Sequence, residues 1–337
     1  MRPICRLEIE GEESVNVMRV LMRMSVALMG IGVMMEGAGG MELQGHRGAR
    51  GVLPESSLPG FQHAIAAGAD CLELDIAMTA DKQIIITHDP SLNPDLTRKE
   101  GQWISERLPI KALTVKQLKV YDIGRLKPGT AYARRFPEQK PIDDLRMPLL
   151  TELFELPEVK VDKGVCLDIE IKTTPVDKGA TFAPEVIADA LLKLIDKPGL
   201  RSRTRVRSFD WRGLAHIKRV APETPLAFLT AKRRWLNNLE VGRPGKSPWL
   251  AGLDIDQFDG SAARAIKHLG GGLWAPYFRD LKKRDLVEAQ DLGLKVIVWT
   301  VNETADIERM VRWGVDGITT DYPARARGII DAHRAEK

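Results

Sequence analysis

A regular alternation of short apolar runs and longer amphipathic segments begins near residue 42 and constrains the fold more than any other feature. Short runs rich in β-branched residues predict strands, and longer runs with helical periodicity predict helices. The predicted strands are Glu42–His46, Ala69–Ala77, Gln83–His88, Gly164–Lys172, Thr204–Ser208, Pro225–Leu229, Gly271–Pro276, Leu294–Thr300 and Asp316–Thr320. Helices are predicted between most of them, for example at Ser57–Ala67, Pro184–Leu194, Trp211–Val220, Leu281–Gly293 and Glu303–Trp313. Repeated strand–helix units indicate a parallel sheet covered by helices.

The turn at residues 78–82 decides how many of these strands belong to the main sheet. Only a handful of residues separate Ala77 from Gln83, whereas a parallel crossover needs about a dozen. The two strands must therefore form an antiparallel hairpin, which leaves eight parallel strands. That number predicts an α/β fold of the (β/α)8 TIM-barrel type. A doubly wound sheet is the alternative, but residues 45–51 have the wrong spacing for its glycine-rich dinucleotide fingerprint.

The sequence predicts a leader, a barrel and an insertion. An apolar run at residues 25–35, preceded by Arg19 and Arg23, is too short to span a bilayer. Residues 1–40 thus resemble a secretory signal peptide, and we expect a periplasmic or secreted protein; a disordered cytoplasmic leader is the alternative. Residues 41–330 are predicted to form the barrel. The proline-rich stretch 89–147 is too long for an unstructured loop and predicts a small subdomain over the mouth, the rim at the strands' carboxyl ends.

Charge and cysteine content narrow the class of protein. Of the 337 residues, 50 are Lys or Arg and 46 are Asp or Glu, and no basic block indicates nucleic-acid binding. The hydrophobic fraction of 44% is that of a globular protein. Three cysteines are too few for a disulfide framework or a structural zinc site. Cys71 and Cys166 lie in apolar runs, and we expect buried thiols because nothing in the sequence places them within bridging range.

Polar residues gather near the carboxyl ends of four predicted strands, where barrel enzymes place their functional groups. Glu73 and Asp75 alternate with apolar residues, so both carboxylates are expected to face the barrel interior. The hairpin returns His88 to the level of residue 74, next to these acids. Buried charges need partners or a metal, and a network of internal ion pairs is the alternative. The other strand-end groups are His46, Arg47, Asp168, Glu170 and Lys172.

These residue types together predict phosphodiester cleavage. A site made only of carboxylates suits a hard cation, Ca²⁺ or Mg²⁺, whereas zinc usually takes His or Cys. Arg47 and Lys172 beside a cation would clamp a phosphate. His46 and His88 can serve as a general acid and a general base near neutral pH. A metal, two histidines and a phosphate clamp favour metal-assisted hydrolysis of a small phosphodiester.

An ordered set of motifs resembles the glycerophosphodiester phosphodiesterase family, in particular its exported bacterial members. The motifs are HRGARG at 46–51, PESS at 54–57, GAD at 68–70, ELD at 73–75, HD at 88–89, EIK at 170–172, SFD at 208–210, WTVN at 299–302 and GVDGITTDYP at 314–323. The resemblance extends over about residues 43–323. It implies a barrel with an insertion after the His-Asp strand, which agrees with the reading of the strands above.

The resemblance also implies an activity and roles for individual residues. The expected reaction is hydrolysis of a glycerophosphodiester to glycerol 3-phosphate and an alcohol, with the glycerol 2-hydroxyl as internal nucleophile and a cyclic phosphate as intermediate. Glu73, Asp75 and Glu170 would hold the divalent cation. His46 and His88 would be the acid–base pair, and Arg47 and Lys172 would bind the phosphate. Trp299 and Phe209 end strands at the mouth and would either contact the glycerol or belong to the core.

Three residues depart from the family pattern. Ser56 and Ser57 replace the usual Asn-Thr, and we expect Ser56 to cap the following helix. Arg207 stands where Gln is common; if it points into the mouth, it would favour a more anionic substrate.

Three other functions remain open from the sequence. A related barrel enzyme of the lysophospholipase D or sphingomyelinase D type would share the metal and histidines but needs an apolar groove. A non-catalytic glycerophosphodiester-binding protein of the cell envelope would have lost a histidine or a carboxylate, and none is lost here. A metal-dependent sugar isomerase on the same fold would not need Arg47 and Lys172 together.

Overall fold

The computed structural model describes residues 40–161, 164–177 and 179–336. The predicted signal peptide lies outside these residues, apart from Gly40. The strands are β1 (Glu42–His46), β2 (Cys71–Met78), β3 (Ile84–Ile86), β4 (Arg98–Lys99), β5 (Gln102–Trp103), β6 (Tyr121–Asp122), β7 (Cys166–Ile171), β8 (Thr204–Ser208), β9 (Leu226–Thr230), β10 (Lys232–Arg233), β11 (Leu236–Asn237), β12 (Leu273–Pro276), β13 (Lys295–Val298) and β14 (Gly317–Thr320). The α-helices are α1 (Leu58–Ala66), α2 (Val115–Leu118), α3 (Ala131–Arg135), α4 (Leu150–Phe154), α5 (Pro157–Lys160), α6 (Pro184–Asp196), α7 (Trp211–Val220), α8 (Ala262–His268), α9 (Lys283–Asp291), α10 (Thr304–Trp313) and α11 (Pro323–Ala335).

Eight parallel strands close into a barrel, which confirms the predicted fold class. Their order is β1-β2-β7-β8-β9-β12-β13-β14, and β1 pairs with both β2 and β14. Strand β3 is antiparallel to β2, with Ile76 opposite Ile86. This register confirms the hairpin predicted from the short turn. The predicted strand Gln83–His88 is therefore a hairpin partner of β2 and not one of the eight barrel strands.

Capping residues explain where the helices on the outside of the barrel begin and end. The Ser57 hydroxyl accepts a hydrogen bond from the backbone N–H of Gly60 at 3.2 Å and caps α1. The prediction that Ser56 is the cap was wrong, because Ser56 has a left-handed backbone with a φ of 55°. Asp210 caps α7, and Gly314 ends α10 in the left-handed conformation that suits glycine.

The barrel interior is divided into an apolar half and a charged half. Strands β9, β12 and β13 contribute buried apolar side chains, which form their own cluster of Ala227, Leu229, Leu273, Ala275 and Ile297. Strands β1, β7 and β8 instead contribute the buried polar residues Gln44, Asp168 and Arg207 and the partly buried Glu42 and Arg205. The residues that alternate with these, such as Leu43, Ile169 and Val206, join the main core beneath the helices.

The segment between β3 and α4 carries a small sheet of its own. Strand β4 pairs with β5 and β6 in an antiparallel arrangement. A second apolar cluster, which includes Leu92, Ile110, Leu118 and Met147, joins this segment to the β2–β3 hairpin. Helix α2 is fixed by a capping box at Thr114. The segment is therefore ordered by local packing against the barrel strand from which it departs.

Cys71 and Cys166 form a disulfide, so the prediction of two buried thiols was wrong. They are directly opposed on β2 and β7, and their Cα atoms are 4.4 Å apart. That separation lies within the range that a disulfide spans. The sequence pattern located both strands but not their relative register, because the cysteines are 95 residues apart.

Candidate active site

Three carboxylates meet at the mouth on neighbouring strands and form what we call the carboxylate triad: Glu73, Asp75 and Glu170. Asp75 on β2 is directly opposite Glu170 on β7. All three are buried, and one oxygen of each lies within 4.8 Å of the others. Burial and the nearby Asp75 raise the pKa of Glu73 to about 8. Burial likewise raises the pKa of Glu170 to about 7, although the charge of Lys172 opposes the rise.

The triad fits a hard divalent cation. Its donor set consists of oxygen atoms alone, which is the set that Ca²⁺ and Mg²⁺ prefer. Among the described residues, none donates a hydrogen bond to the buried Oδ2 of Asp75. Burial opposes ionisation of Asp75, but the neighbouring Lys172 holds its pKa below the usual range. An ionised carboxylate with a buried oxygen that accepts no hydrogen bond, beside two further acids, is a suitable ligand group for a metal ion.

Lys172 and Arg47 both contact oxygens of the triad. Lys172 Nζ lies 2.8 Å from Glu170 Oε1 and 3.2 Å from Asp75 Oδ1. Arg47 Nε lies 3.3 Å from Asp75 Oδ2, and the backbone N–H of Arg47 donates to Glu73 Oε2 at 3.0 Å. The structure therefore brings both predicted phosphate-binding cations to the same rim as the predicted metal ligands.

Glu55 and Tyr132 position Arg47, and the sequence analysis gave neither of them a role. Arg47 donates to Glu55 Oε1 at 2.8 Å, and the hydroxyl of Tyr132 donates to the other oxygen of Glu55. Tyr132 lies on α3 within the insertion. Its contact shows that the insertion touches the site, which a pattern of prolines and charges does not reveal.

His46 ends β1 and is oriented by Asp321, a residue that follows β14. Its Nδ1 lies 2.7 Å from Asp321 Oδ1, and its Nε2 lies 3.8 Å from Glu73 Oε2. Burial and the charge of Arg50 lower the pKa of His46 to about 3. Because the ionised carboxylate of Asp321 can only accept, Nδ1 donates to it, and Nε2 faces Glu73 of the triad. The sequence analysis quoted the motif that contains Asp321 but gave that residue no role.

Arg50 and Asn302 hold Asp321 in place. Arg50 Nε donates to Asp321 Oδ1 at 2.8 Å, and Asn302 Nδ2 donates to Oδ2 at 2.7 Å. The backbone N–H of Asp321 in turn donates to Asn302 Oδ1 at 2.9 Å. The carboxylate that orients His46 thus has its own fixed partners on both sides.

His88 is arranged in a similar way and lies close enough to Asp75 for its charge to affect the pKa of that acid. The β2–β3 register places it level with Leu74, as the hairpin predicted. Its Nδ1 lies 2.7 Å from Asp89 Oδ1, and Asn93 donates to the other oxygen of Asp89 at 2.8 Å. Burial and the charges of Arg47 and Lys172 lower the pKa of His88 to about 4. Each histidine thus has a carboxylate on Nδ1.

Phe209 and Trp299 border the mouth on its apolar half. Their ring centroids are 5.3 Å apart in an edge-to-face contact, and both side chains are half-buried. The indole N–H of Trp299 donates to the carbonyl of Ala275 at 2.8 Å, so the remaining ring surface is apolar. Lys172 Nζ lies 5.8 Å from the Phe209 ring centroid. The pair is therefore next to the predicted phosphate clamp.

Asp168 and Arg207 lie deeper in the barrel and not at the mouth. Arg207 donates to Gln44 Oε1 and to Asp168 Oδ2, both at 3.2 Å, and is 1% exposed. Asp168 also accepts from Arg205 at 3.0 Å. The alternative interpretation, a network of internal ion pairs, is therefore correct for Asp168. Of the three charged residues on this stretch, Glu170 and Lys172 reach the site and Asp168 does not. Arg207 was expected to favour an anionic substrate only if it pointed into the mouth. It does not, because its guanidinium binds Gln44 and Asp168 inside the barrel.

Together, the closed barrel, the carboxylate triad and the paired histidines define the class of protein: a (β/α)8-barrel enzyme whose mouth suits an anionic ester. The sequence profile of the glycerophosphoryl diester phosphodiesterase family matches residues 46–325. The chain belongs to this family, which confirms the resemblance inferred from the motifs.

Known proteins similar to this chain cover nearly the whole barrel. A glycerophosphodiester phosphodiesterase from Caldanaerobacter subterraneus subsp. tengcongensis is 29% identical over 82% of this chain and 93% of its own length. A crystal structure from Silicibacter pomeroyi, assigned as a glycerophosphoryl diester phosphodiesterase, is 35% identical, covers 87% of this chain and 94% of that one, and superposes with a TM-score of 0.77. An Oleispira antarctica phosphodiesterase in complex with sn-glycerol-3-phosphate is 18% identical, covers 86% of this chain and 96% of that one, and shares the fold with a TM-score of 0.62.

Within the described part of the chain, no helix has the length and apolar character needed to cross a bilayer. The roles in catalysis and binding remain predictions for His46, His88, Arg47, Lys172, Trp299, Phe209 and the carboxylate triad.

Proposed function

We propose that this protein hydrolyses glycerophosphodiesters to glycerol 3-phosphate and an alcohol, with Ca²⁺ or Mg²⁺ as cofactor. The observation that carries the proposal is the convergence of the carboxylate triad, two carboxylate-paired histidines and two cations at one barrel mouth. The names of its relatives agree with this reaction. A binding protein without activity would not need to keep every one of these groups.

Glu73, Asp75 and Glu170 would hold the cation. When bound, the cation would neutralise negative charge on a phosphoryl oxygen and favour attack at phosphorus. Arg47 and Lys172 would bind the other non-bridging oxygens. Both side chains already contact Asp75 of the triad, so little side-chain rearrangement is needed when the phosphate binds.

His46 and His88 would move the protons. One histidine accepts the proton of the glycerol 2-hydroxyl at Nε2 while that oxygen bonds to phosphorus. The other histidine donates a proton to the departing alcohol oxygen as the phosphorus–oxygen bond breaks. Water then opens the cyclic phosphate with the two roles reversed. Asp321 and Asp89, each 2.7 Å from an Nδ1, would stabilise the imidazolium that each ring forms in turn.

We also propose that the protein works in the periplasm or outside the cell. The Cys71–Cys166 disulfide supports this, since such bridges persist mainly in oxidising compartments. Sequencing the N-terminus of the protein isolated from its cells tests the predicted leader. A mature chain that starts near residue 40 is expected, and a chain that starts at Met1 would contradict export by a cleaved signal.

A coupled assay for glycerol 3-phosphate release from glycerophosphocholine tests the proposed reaction. The wild type is expected to lose activity in EDTA and to regain it with Ca²⁺ or Mg²⁺. His46→Ala and His88→Ala are each expected to lower kcat by about 10²–10⁴, the usual contribution of a general acid or base. His216→Ala is a matched control, because His216 Nε2 also lies 2.7 Å from a carboxylate, that of Asp189, but on the helical surface.

Several outcomes would contradict the proposal. Activity that is unchanged by EDTA would show that the reaction does not require a metal ion. Full activity of the His46→Ala variant would remove His46 from proton transfer. Binding of glycerophosphocholine by the metal-loaded wild type without turnover would favour a binding protein.

The buried position of Arg207 gives a prediction about substrate preference. In Arg207→Gln, the ratio of kcat/KM for glycerophosphoserine to that for glycerophosphoethanolamine is expected to stay within about twofold, because Arg207 binds Gln44 and Asp168 inside the barrel. The free energy of unfolding is expected to fall by about 2 kcal/mol through the lost charged hydrogen bonds. Steady-state kinetics and urea unfolding measure the two effects. A tenfold change in the kinetic ratio would show that Arg207 faces the substrate after all.

A further inference from the structure

A fixed positive charge, that of Arg207, lies inside the barrel below the carboxylate triad. Arg207 on β8 is directly opposite Glu170 on β7, and Glu170 is opposite Asp75 on β2. The side chain of Arg207 is 1% exposed and donates to Gln44 and Asp168. A guanidinium stays protonated in proteins, so this charge is permanent. The triad therefore has a cation beneath it as well as the two at the mouth.

The carboxylate of Asp168 neutralises Arg207 only in part. The same Oδ2 of Asp168 that accepts from Arg207 also accepts from Arg205 at 3.0 Å and from Gln44 at 2.8 Å. The Nε of Arg207 is buried, and no acceptor for it lies among the described residues. In an interior of low dielectric constant, a charge that is incompletely paired acts on neighbours several ångströms away. Part of the charge of Arg207 is thus left to act on the triad.

Two acids of the triad respond to this charge. Burial raises the pKa of Glu73 to about 8 and that of Glu170 to about 7, and the charge of Arg207 opposes both increases. The same positive charge must repel a metal ion held between these acids. A divalent cation carries twice the charge of a proton. Repulsion of the metal is therefore the larger effect once the acids are ionised.

We infer that Arg207 sets the affinity of the carboxylate triad for its divalent cation, and that its charge makes binding weaker than the three acids alone would give. The inference rests on the proposed function, in which the triad holds Ca²⁺ or Mg²⁺. The phosphate of the substrate would neutralise Arg47 and Lys172, but Arg207 is enclosed in the barrel. Its effect on the metal therefore persists when the substrate binds.

Isothermal titration of the full chain with Ca²⁺ and with Mg²⁺ tests this inference. Arg207→Gln removes the charge, and its Kd for the cation is expected to be at least about tenfold lower than that of the wild type. Titration at about pH 9, above the pKa of Glu73 and Glu170, keeps bound protons from masking the effect. A merely structural role would not produce this result, because damage to a site weakens binding.

Three further variants separate the charge of Arg207 from its shape and its hydrogen bonds. Arg207→Met is a second neutral variant and should show the same gain in affinity. Arg207→Lys keeps the charge and should bind the cation within about twofold of the wild type. Arg205→Gln is the matched control, because Arg205 also pairs with Asp168 but lies opposite it in the strand register, farther from the mouth. Circular dichroism checks that each variant is folded.

The outcomes distinguish this inference from the proposed function. Unchanged or weaker cation binding by both neutral variants would overturn the inference and leave the metal site standing. An equal gain in Arg205→Gln would also overturn it, since the effect would then come from the total charge of the barrel. A gain in Arg207→Lys as large as that in Arg207→Gln would show that the charge is not the cause. Absence of cation binding by the wild type would contradict the proposed cofactor itself, and the inference with it.

Discussion

Replacing Asp75 with Asn is expected to abolish divalent-cation binding and to lower kcat/KM for glycerophosphocholine by about a thousandfold or more. Asp75 stands between the other two acids of the carboxylate triad and the two cations Arg47 and Lys172. The amide removes a charged ligand, and the several kcal/mol of charge stabilisation that a metal supplies would be lost with it. Isothermal titration with Ca²⁺ and Mg²⁺ measures binding, and the coupled assay for glycerol 3-phosphate release measures activity.

Thermal unfolding separates metal loss from misfolding in this variant. The wild type is expected to gain stability when the cation is added, since a ligand that binds only the folded state stabilises it. Asp75→Asn should be folded but show no such gain. Glu42→Gln is the matched control, because Glu42 is also a carboxylate in the barrel but pairs with Arg205 at 2.6 Å, away from the triad. Normal cation binding by Asp75→Asn would refute the assignment of the metal site.

Loss of the Cys71–Cys166 bridge is expected to lower the free energy of unfolding by about 4 kcal/mol. The bridge joins residues 95 positions apart, and closing a loop of that length removes much conformational freedom from the unfolded chain. The melting temperature should fall by roughly 10 °C. Urea unfolding followed by circular dichroism, with and without reductant, measures the change in the wild type.

The double variant Cys71→Ala/Cys166→Ala provides the control for reduction. Its unfolding midpoint should match that of the reduced wild type to within the small cost of the two substitutions, and reductant should not change it. An unfolding midpoint of the wild type that is the same with and without reductant would show that the bridge contributes nothing. Alkylation of both thiols in the native, unreduced protein would show that the bridge is absent.

The architecture and the centre of the site were predictable from the sequence because local rules determine them. The short turn at residues 78–82 requires a hairpin, and the hairpin alone brings His88 to the level of Leu74. Alternation along β2 directs Glu73 and Asp75 inward, since the residues that alternate with them, Leu72, Leu74 and Ile76, are apolar. Neither step depends on knowing how distant strands align.

The features that the sequence did not reveal depend on long-range register. The disulfide requires β2 and β7 to align at one particular pair of residues. The partner of His46 directly follows the last barrel strand, and the contact of Tyr132 with Glu55 depends on how the insertion folds back. Ser56 was predicted as the cap because serine commonly caps helices. The helix begins one residue later than this prediction requires, so that Ser57 is the cap.

Under the proposed mechanism, the contact between His46 and Asp321 also determines when the protein becomes active during its synthesis. These two residues are separated by 275 positions and meet only where β14 pairs with β1 to close the barrel. A nascent chain on the ribosome carries both histidines and all three acids long before Asp321 has been made. Since that late carboxylate orients the ring of His46, the proton acceptor proposed above is assembled only when the barrel closes. Under the proposed mechanism we therefore expect an incomplete chain to be inactive towards diesters.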